Sequence, residues 1–207
     1  MRKLILLIAV LATSLCAFAG PMNVVFVGFH KGGWPAGYPY YATVNGSAVT
    51  VMCDDWVHGG QPEQTWQAMF TNLGTSNLKD VRFNTMSNAL TLYHEAGWLL
   101  LQTQTSPGSG EATDINWAVW HIFDPSVTLG PGQENWLDLA QQEASNGFPG
   151  VNFYRVGIYT PVDQYDPNHN HPQELLEIMP PSATPEPGTL VLLGTAIAGL
   201  VTRKLRS

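Results

Sequence analysis

The order of periodicities along this chain predicts an α+β fold: an antiparallel β-sheet or barrel with a mid-chain cluster of about three helices packed on it. Three observations carry that prediction. Strand-like runs fill the first third, helix-period runs the middle, and strand-like runs return at the end, so helices and strands are segregated rather than alternating. An Asn45-Gly46 pair separates two β-rich runs, the strongest short-range hairpin signal. The stretch 113–123 places Ile115, Trp117, Ala118, Val119, Trp120, Ile122 and Phe123 all round a helical cylinder, which marks a central, buried helix.

Taken in order, 23–30 reads as a strand and 31–39 as a loop rich in Gly, Pro and aromatics. Residues 40–44 and 48–53 form the hairpin around Asn45-Gly46, and 64–72, with Trp66, Ala68 and Phe70, reads as a further strand. Leu90, Tyr93, Ala96, Gly97, Leu100 and Leu101 recur at helical spacing within 84–104. Thr113 precedes the second helix as a capping candidate, and Asp124-Pro125 ends it. The third helix, 134–146, turns Trp136, Leu139 and Ala140 inward, with Gly147 placed to stop it. Strands return at 151–160 and 173–179.

The ends speak of export. Arg2 and Lys3 precede an unbroken apolar run from Leu4 to Leu11, and Ala17-Phe18-Ala19 offers a small-x-small cleavage site, so 1–19 reads as a signal peptide for signal peptidase. The residue before Cys16 is Leu15, which argues against a lipidated cysteine. Residues 180–187 form a Pro-rich linker containing Pro185-Glu186-Pro187. The apolar stretch 188–202 that follows is roughly 15 residues, short of the ~20 of a comfortable spanning helix. Arg203, Lys204 and Arg206 then hold the basic end on the cytoplasmic side, leaving the body outside. The domain organisation is therefore a signal peptide (1–19), one exported α+β domain (20–179), the linker (180–187) and a hydrophobic sorting tail or transmembrane segment (188–207).

Between the two signals the only cations are Lys31, Lys79, Arg82 and Arg155, against 15 carboxylates, giving a charge of about −11. Such a body lacks the basic stripe that binds phosphate backbones, so nucleic acid is excluded as a partner. Once the signal peptide leaves, Cys53 is the sole cysteine in an oxidising compartment. It is either buried and inert, paired between chains, or chemically committed. Asp54 and Asp55 beside it disfavour a thiolate, whereas a sulfur held in an acyl bond carries no charge.

Pro185-Glu186-Pro187, the short apolar segment and the terminal Arg/Lys resemble the PEP-CTERM sorting signal of Gram-negative bacteria that make extracellular polysaccharide. That resemblance implies an exosortase-type sorting enzyme as a partner. It also implies an inner-membrane-tethered intermediate on the way to the cell surface or extracellular matrix. The body resembles a group of proteins carrying the same signal. The shared layout is Cys53-Asp54-Asp55-Trp56, Gln64-Thr65-Trp66, Ala118-Val119-Trp120, Ile158-Tyr159-Thr160-Pro161 and Gln173-Glu174-Leu175-Leu176. It is similar, more distantly, to the thioester domains of Gram-positive surface adhesins. Those join a cysteine on an early strand to a glutamine on a late one, next to a Thr-Gln-x-Ala-(Ile/Val)-Trp helix. The resemblance implies Cys53 as the thiol and Gln173 as the acyl donor, held side by side on neighbouring strands. Asn116, Trp120 and Trp56 would support them; Ile115 and Asn116 stand where that helix motif has Thr and Gln. A bound amine or hydroxyl, on exopolysaccharide or another surface, would open the bond. No cofactor and no metal enter this chemistry.

The alternatives are a structural matrix protein with a buried, inert Cys53, and a cysteine hydrolase or transpeptidase using His58, His94 or His121 with an Asp. The polar stretch 163–171, with Asp163, Asp166, His169 and His171, matches no metal cage and reads as a solvated loop. The aromatic loop 33–41 could stack on sugar rings, but such residues more often pack beneath a loop.

Overall fold

The computed structural model describes residues 20–29, 38–105, 109–162 and 172–180. The expected signal peptide, the linker and tail beyond residue 180, most of the aromatic loop and the whole of the polar loop 163–171 lie outside the described residues. The strands are β1 (Met22–Phe29), β2 (Tyr40–Val44), β3 (Ser47–Cys53), β4 (Thr65–Asn72), β5 (Val156–Pro161) and β6 (Leu175–Ile178). Each pairs antiparallel with two neighbours, and together they close a barrel in the order β1-β2-β3-β6-β5-β4. Three helices, α1 (Ala89–Gln102), α2 (Ser109–Phe123) and α3 (Pro131–Ser145), lie between β4 and β5 in the chain. The α+β class and the mid-chain helix cluster are as the periodicities predict.

The β2–β3 hairpin turns on Asn45 and Gly46, with φ of 49° and 83°. Both angles are positive, as the tight turn that matches strand twist requires, and Asn and Gly are the residues that tolerate them. Alternation along the strands then sorts side chains into two cores. Val24, Phe26, Ala42, Val51, Cys53, Trp66, Ala68, Tyr159 and Leu175 gather in one cluster, and α2 contributes Trp120 to it. The opposite faces of β3, β5 and β6 supply Met52, Ile158 and Leu176 to a second cluster with Tyr93, Leu100, Ile115 and Val119 of α1 and α2. The end of β3 and the start of β6 are therefore covered on both faces, which is where the site lies.

Several boundaries differ from expectation. Helix α2 begins at Ser109, so Thr113 lies inside it and is not its cap. Helix α3 begins at Pro131 rather than 134, because proline suits the first helical position and Gln133 Oε1 accepts the Gly130 N–H at 2.8 Å. Helix α1 starts only at Ala89, after Asn88 has passed through the left-handed region (φ 60°). The return strand begins at Val156, five residues late, because 153–155 form a 3-10 turn capped by the Asn152 side chain. The last strand begins at Leu175, so Gln173 precedes it instead of lying within it.

Candidate functional site

Cys53 ends β3 and is paired directly with Leu175 of β6. Gln173 is not opposite Cys53, as side-by-side placement would require. It lies two residues before Leu175, outside the strand, and its long side chain reaches back to the turn that follows β3. Both residues are buried.

One atom joins them. The backbone carbonyl oxygen of Asp55 accepts the Cys53 thiol at 3.1 Å and the Gln173 side-chain amide Nε2 at 3.4 Å. Nε2 also donates to the backbone carbonyl of His58. Contact with two acceptors fixes which end of the amide is nitrogen. The amide oxygen, Oε1, is buried and meets no donor among the described residues. The Asp55 backbone N–H closes the loop by donating to Cys53 Sγ at 3.3 Å.

The turn that presents these carbonyls is organised by the Asp55 side chain. Its Oδ1 accepts the backbone N–H groups of Val57 and His58 at 3.2 and 3.3 Å, an Asx-type turn. Its Oδ2 lies 2.6 Å from Nδ1 of the His58 ring and is paired with the Arg82 guanidinium. The same ring nitrogen lies 3.0 Å from Arg82 Nη1, so Nδ1 faces an acceptor-only carboxylate and a donor-only guanidinium together. Burial lowers the His58 pKa below its usual value, favouring the neutral ring. Arg82 is 8% exposed and donates from Nη2 to the Pro172 carbonyl at 2.7 Å, so one guanidinium ties the 55–58 turn to the segment carrying Gln173. Its backbone N–H donates to Glu174 Oε2 at 2.9 Å.

Asn116 reaches in from α2. Its Nδ2 donates to the Cys53 carbonyl at 2.7 Å and its Oδ1 accepts the Tyr38 N–H at 3.0 Å. The amide thus spends both ends on backbone, fixing the end of β3. Trp56, Trp117 and Trp120 contact one another with ring centroids 4.9 to 5.3 Å apart. Trp120 belongs to the core cluster that contains Cys53, and the partly buried Trp56 and Trp117 pack against that cluster. The Trp120 indole N–H lies near enough to the sulfur to favour its thiolate slightly, without the geometry of a hydrogen bond. Burial and then the neighbouring Asp54 outweigh it and push the Cys53 pKa well above that of an ordinary thiol.

Across the strand from Cys53, Asp54 and Glu174 are fully buried. Glu174 accepts from the Tyr93 hydroxyl, the Thr160 hydroxyl and the Arg82 backbone. Neither Asp54 side-chain oxygen makes a hydrogen bond to another residue among the described residues. Its neighbour is the Glu174 carboxylate, which it can bond only by keeping its own proton. Burial first, then Glu174, raises the Asp54 pKa well above the carboxylate range.

The cluster brings together Cys53, Gln173 and Asn116, with Trp120 and Trp56 packed beside Cys53. Of the three histidines considered for a hydrolase, only His58 belongs to it. His94 stacks on Phe153 at 4.1 Å and lines an open cavity of about 350 Å³ that shares no residue with the cluster. The His121 ring bonds the Val127 carbonyl at 2.7 Å. Sequence reasoning missed Arg82 and Tyr93. Arg82 is one of only four cations in the body, and that scarcity is the signal that could have marked it.

Residues 183–207 match the PEP-CTERM protein-sorting motif, which implies export, surface sorting and processing by an exosortase. No curated protein matches the chain in sequence. Two solved structures resemble it in fold. One is the N-terminal thioester domain of a surface protein from Clostridium perfringens (TM-score 0.46, 13% identity, covering 76% of this chain and 97% of that one). The other is the N-terminal domain of the Streptococcus pyogenes pilus tip adhesin Cpa (TM-score 0.48, 12% identity, covering 80% of this chain and 97% of that one).

Proposed function

We propose that this exosortase-sorted protein is a covalent surface binder, displayed at the cell surface or in the extracellular matrix, whose Cys53 and Gln173 join in an internal thioester. The observation that carries the reading is the shared hydrogen-bond acceptor: the Cys53 thiol and the Gln173 amide nitrogen both bond the Asp55 carbonyl oxygen inside a buried site. Thioester formation balances without a co-reactant. The Sγ–Cδ bond forms, the Cδ–Nε2 bond breaks, and the thiol proton leaves with the nitrogen as ammonia. Burial supports the product in two ways. It keeps out the water that would hydrolyse the bond. It also disfavours the thiolate, so the neutral acylated sulfur suits this environment better. A nucleophile on the target, an amine or a sugar hydroxyl on exopolysaccharide or another surface, would take the acyl group once and stay attached. This is single-turnover chemistry, not enzymatic turnover.

Complete burial of the Cys53 thiol equally suits a milder role, a structural matrix protein with an inert cysteine. Intact mass separates the two. The wild type should weigh one ammonia less than its sequence, and neither Cys53→Ala nor Gln173→Ala should show the loss. A full-mass wild type whose thiol reacts only after denaturation would leave the structural role.

A further inference from the structure

We propose that the Asp55–His58 turn is the leaving-group cradle of the acyl transfer, with Asp55, His58 and Arg82 as its positioning residues; this rests on the thioester reading. The Gln173 amide is held by its nitrogen alone. Two backbone carbonyls, of Asp55 and His58, receive Nε2, while Oε1 meets no donor among the described residues. An amide nitrogen has two N–H bonds, and two acceptor-only groups match that number. As Cδ–Nε2 breaks and the nitrogen takes a third proton, its positive character grows, and carbonyl oxygens become better partners for it. The acceptors thus favour the departing nitrogen over the resting amide, as transition-state stabilisation requires.

The proton's source is part of the same arrangement. The Cys53 S–H points at the Asp55 carbonyl oxygen, which also receives Nε2. A thiol whose pKa is raised does not ionise first, so it gives up its proton as sulfur attacks Cδ. Nε2, bonded to the same oxygen, is positioned to receive it. The products are the Cys53–Gln173 thioester and one ammonia.

The side chains make the cradle rigid. Asp55 Oδ1 folds the turn through the Val57 and His58 N–H groups, and Oδ2 takes the His58 ring and the Arg82 guanidinium. Arg82 in turn bonds the Pro172 carbonyl next to Gln173. One cation therefore fixes the distance between the strand end that supplies the acceptors and the segment that supplies the amide.

The test uses the full chain in detergent, with ammonia and methylamine as probes. Either amine opens the thioester to an amide, the amine is removed, and intact mass follows re-closure. A methylamide has only one N–H for two acceptors, so the wild type should re-close more slowly from it than from the primary amide. Asp55→Asn and Arg82→Lys should slow re-closure from the primary amide by roughly tenfold or more, since small misplacements carry such costs. They should change the methylamide rate less, so the ratio of the two rates falls towards one. Arg82→Lys keeps the charge and serves should Asp55→Asn fail to fold. Equal slowing with both amides, at an unchanged ratio, would show a merely structural role and overturn the cradle alone. A wild type without the ammonia deficit would overturn the thioester and the cradle together.

Discussion

Asp54 follows Cys53 by one residue and so faces the helices rather than the barrel interior. There it meets Glu174, whose three donors make it an acceptor, and burial forces Asp54 to keep its proton. The sign of its effect on stability follows. The folded state holds this proton to a higher pH than the unfolded chain does. The contribution is fully present below the ordinary aspartate value, about pH 4, and is lost as pH rises towards the folded pKa. Asp54→Asn keeps a permanent donor to Glu174 and has no proton to lose. The stability of the variant relative to wild type should therefore increase as pH rises from about 4 to 8. Thermal or urea unfolding of both proteins across that range measures the difference, in which Glu95, Glu177 and the histidines cancel. A difference that stays flat with pH would mean that Asp54 is ionised in the fold.

Helix α1 reaches the barrel through a close approach at Gly97. A methyl group there would come within 2.7 Å of Leu73 Cδ2 and 3.5 Å of the Phe153 ring. Leu73 is fully buried and follows directly on β4, while Phe153 opens the 3-10 turn that leads into β5. The helix thus packs against both flanks of the β4–β5 pair, and Gly97 sets the spacing. Alanine would return about 1 kcal/mol of intrinsic helix preference against about 1–3 kcal/mol of overpacking. Because Leu73 has no exposed side to move towards, overpacking should dominate. Gly97→Ala should lower stability by up to about 2 kcal/mol in urea unfolding without altering the Cys53–Gln173 chemistry. A stabilised variant would mean that Leu73 can repack freely.

At the scale of the molecule, what was legible in the sequence was local. The Asn45-Gly46 turn, the strand periods and the all-round apolar face of α2 each need only a few neighbouring residues to be read. Closure of the barrel was not legible in detail, since pairing β3 with β6 depends on register between distant segments. For that reason the sequence predicts Cys53 and Gln173 side by side on neighbouring strands, whereas Leu175 is the residue paired with Cys53 and Gln173 precedes the strand. Arg82 was missed on the same ground: its partners Asp55, His58 and Pro172 are scattered along the chain, and no periodicity connects them. The C-terminal signal is the opposite case, a linear motif read by another protein, and it yields its own prediction. We propose that Arg203, Lys204 and Arg206 hold the end of the apolar segment 188–202 in the cytoplasm, which would leave Pro185-Glu186-Pro187 at the outer edge of the bilayer. A body of about −11 charge has no electrostatic attraction to an anionic membrane. On that topology, cleavage near the motif would remove the body's membrane tether. Replacing Glu186 and both flanking prolines with alanine should leave the apolar segment, and hence insertion, unchanged while abolishing recognition. The variant should keep its tail and fractionate with the inner membrane, whereas the wild type loses the tail and reaches the surface or medium. Mass spectrometry of the C-terminal peptide in each fraction reads this directly. A variant trimmed at the same bond as wild type would show that the apolar segment and its basic end suffice for sorting.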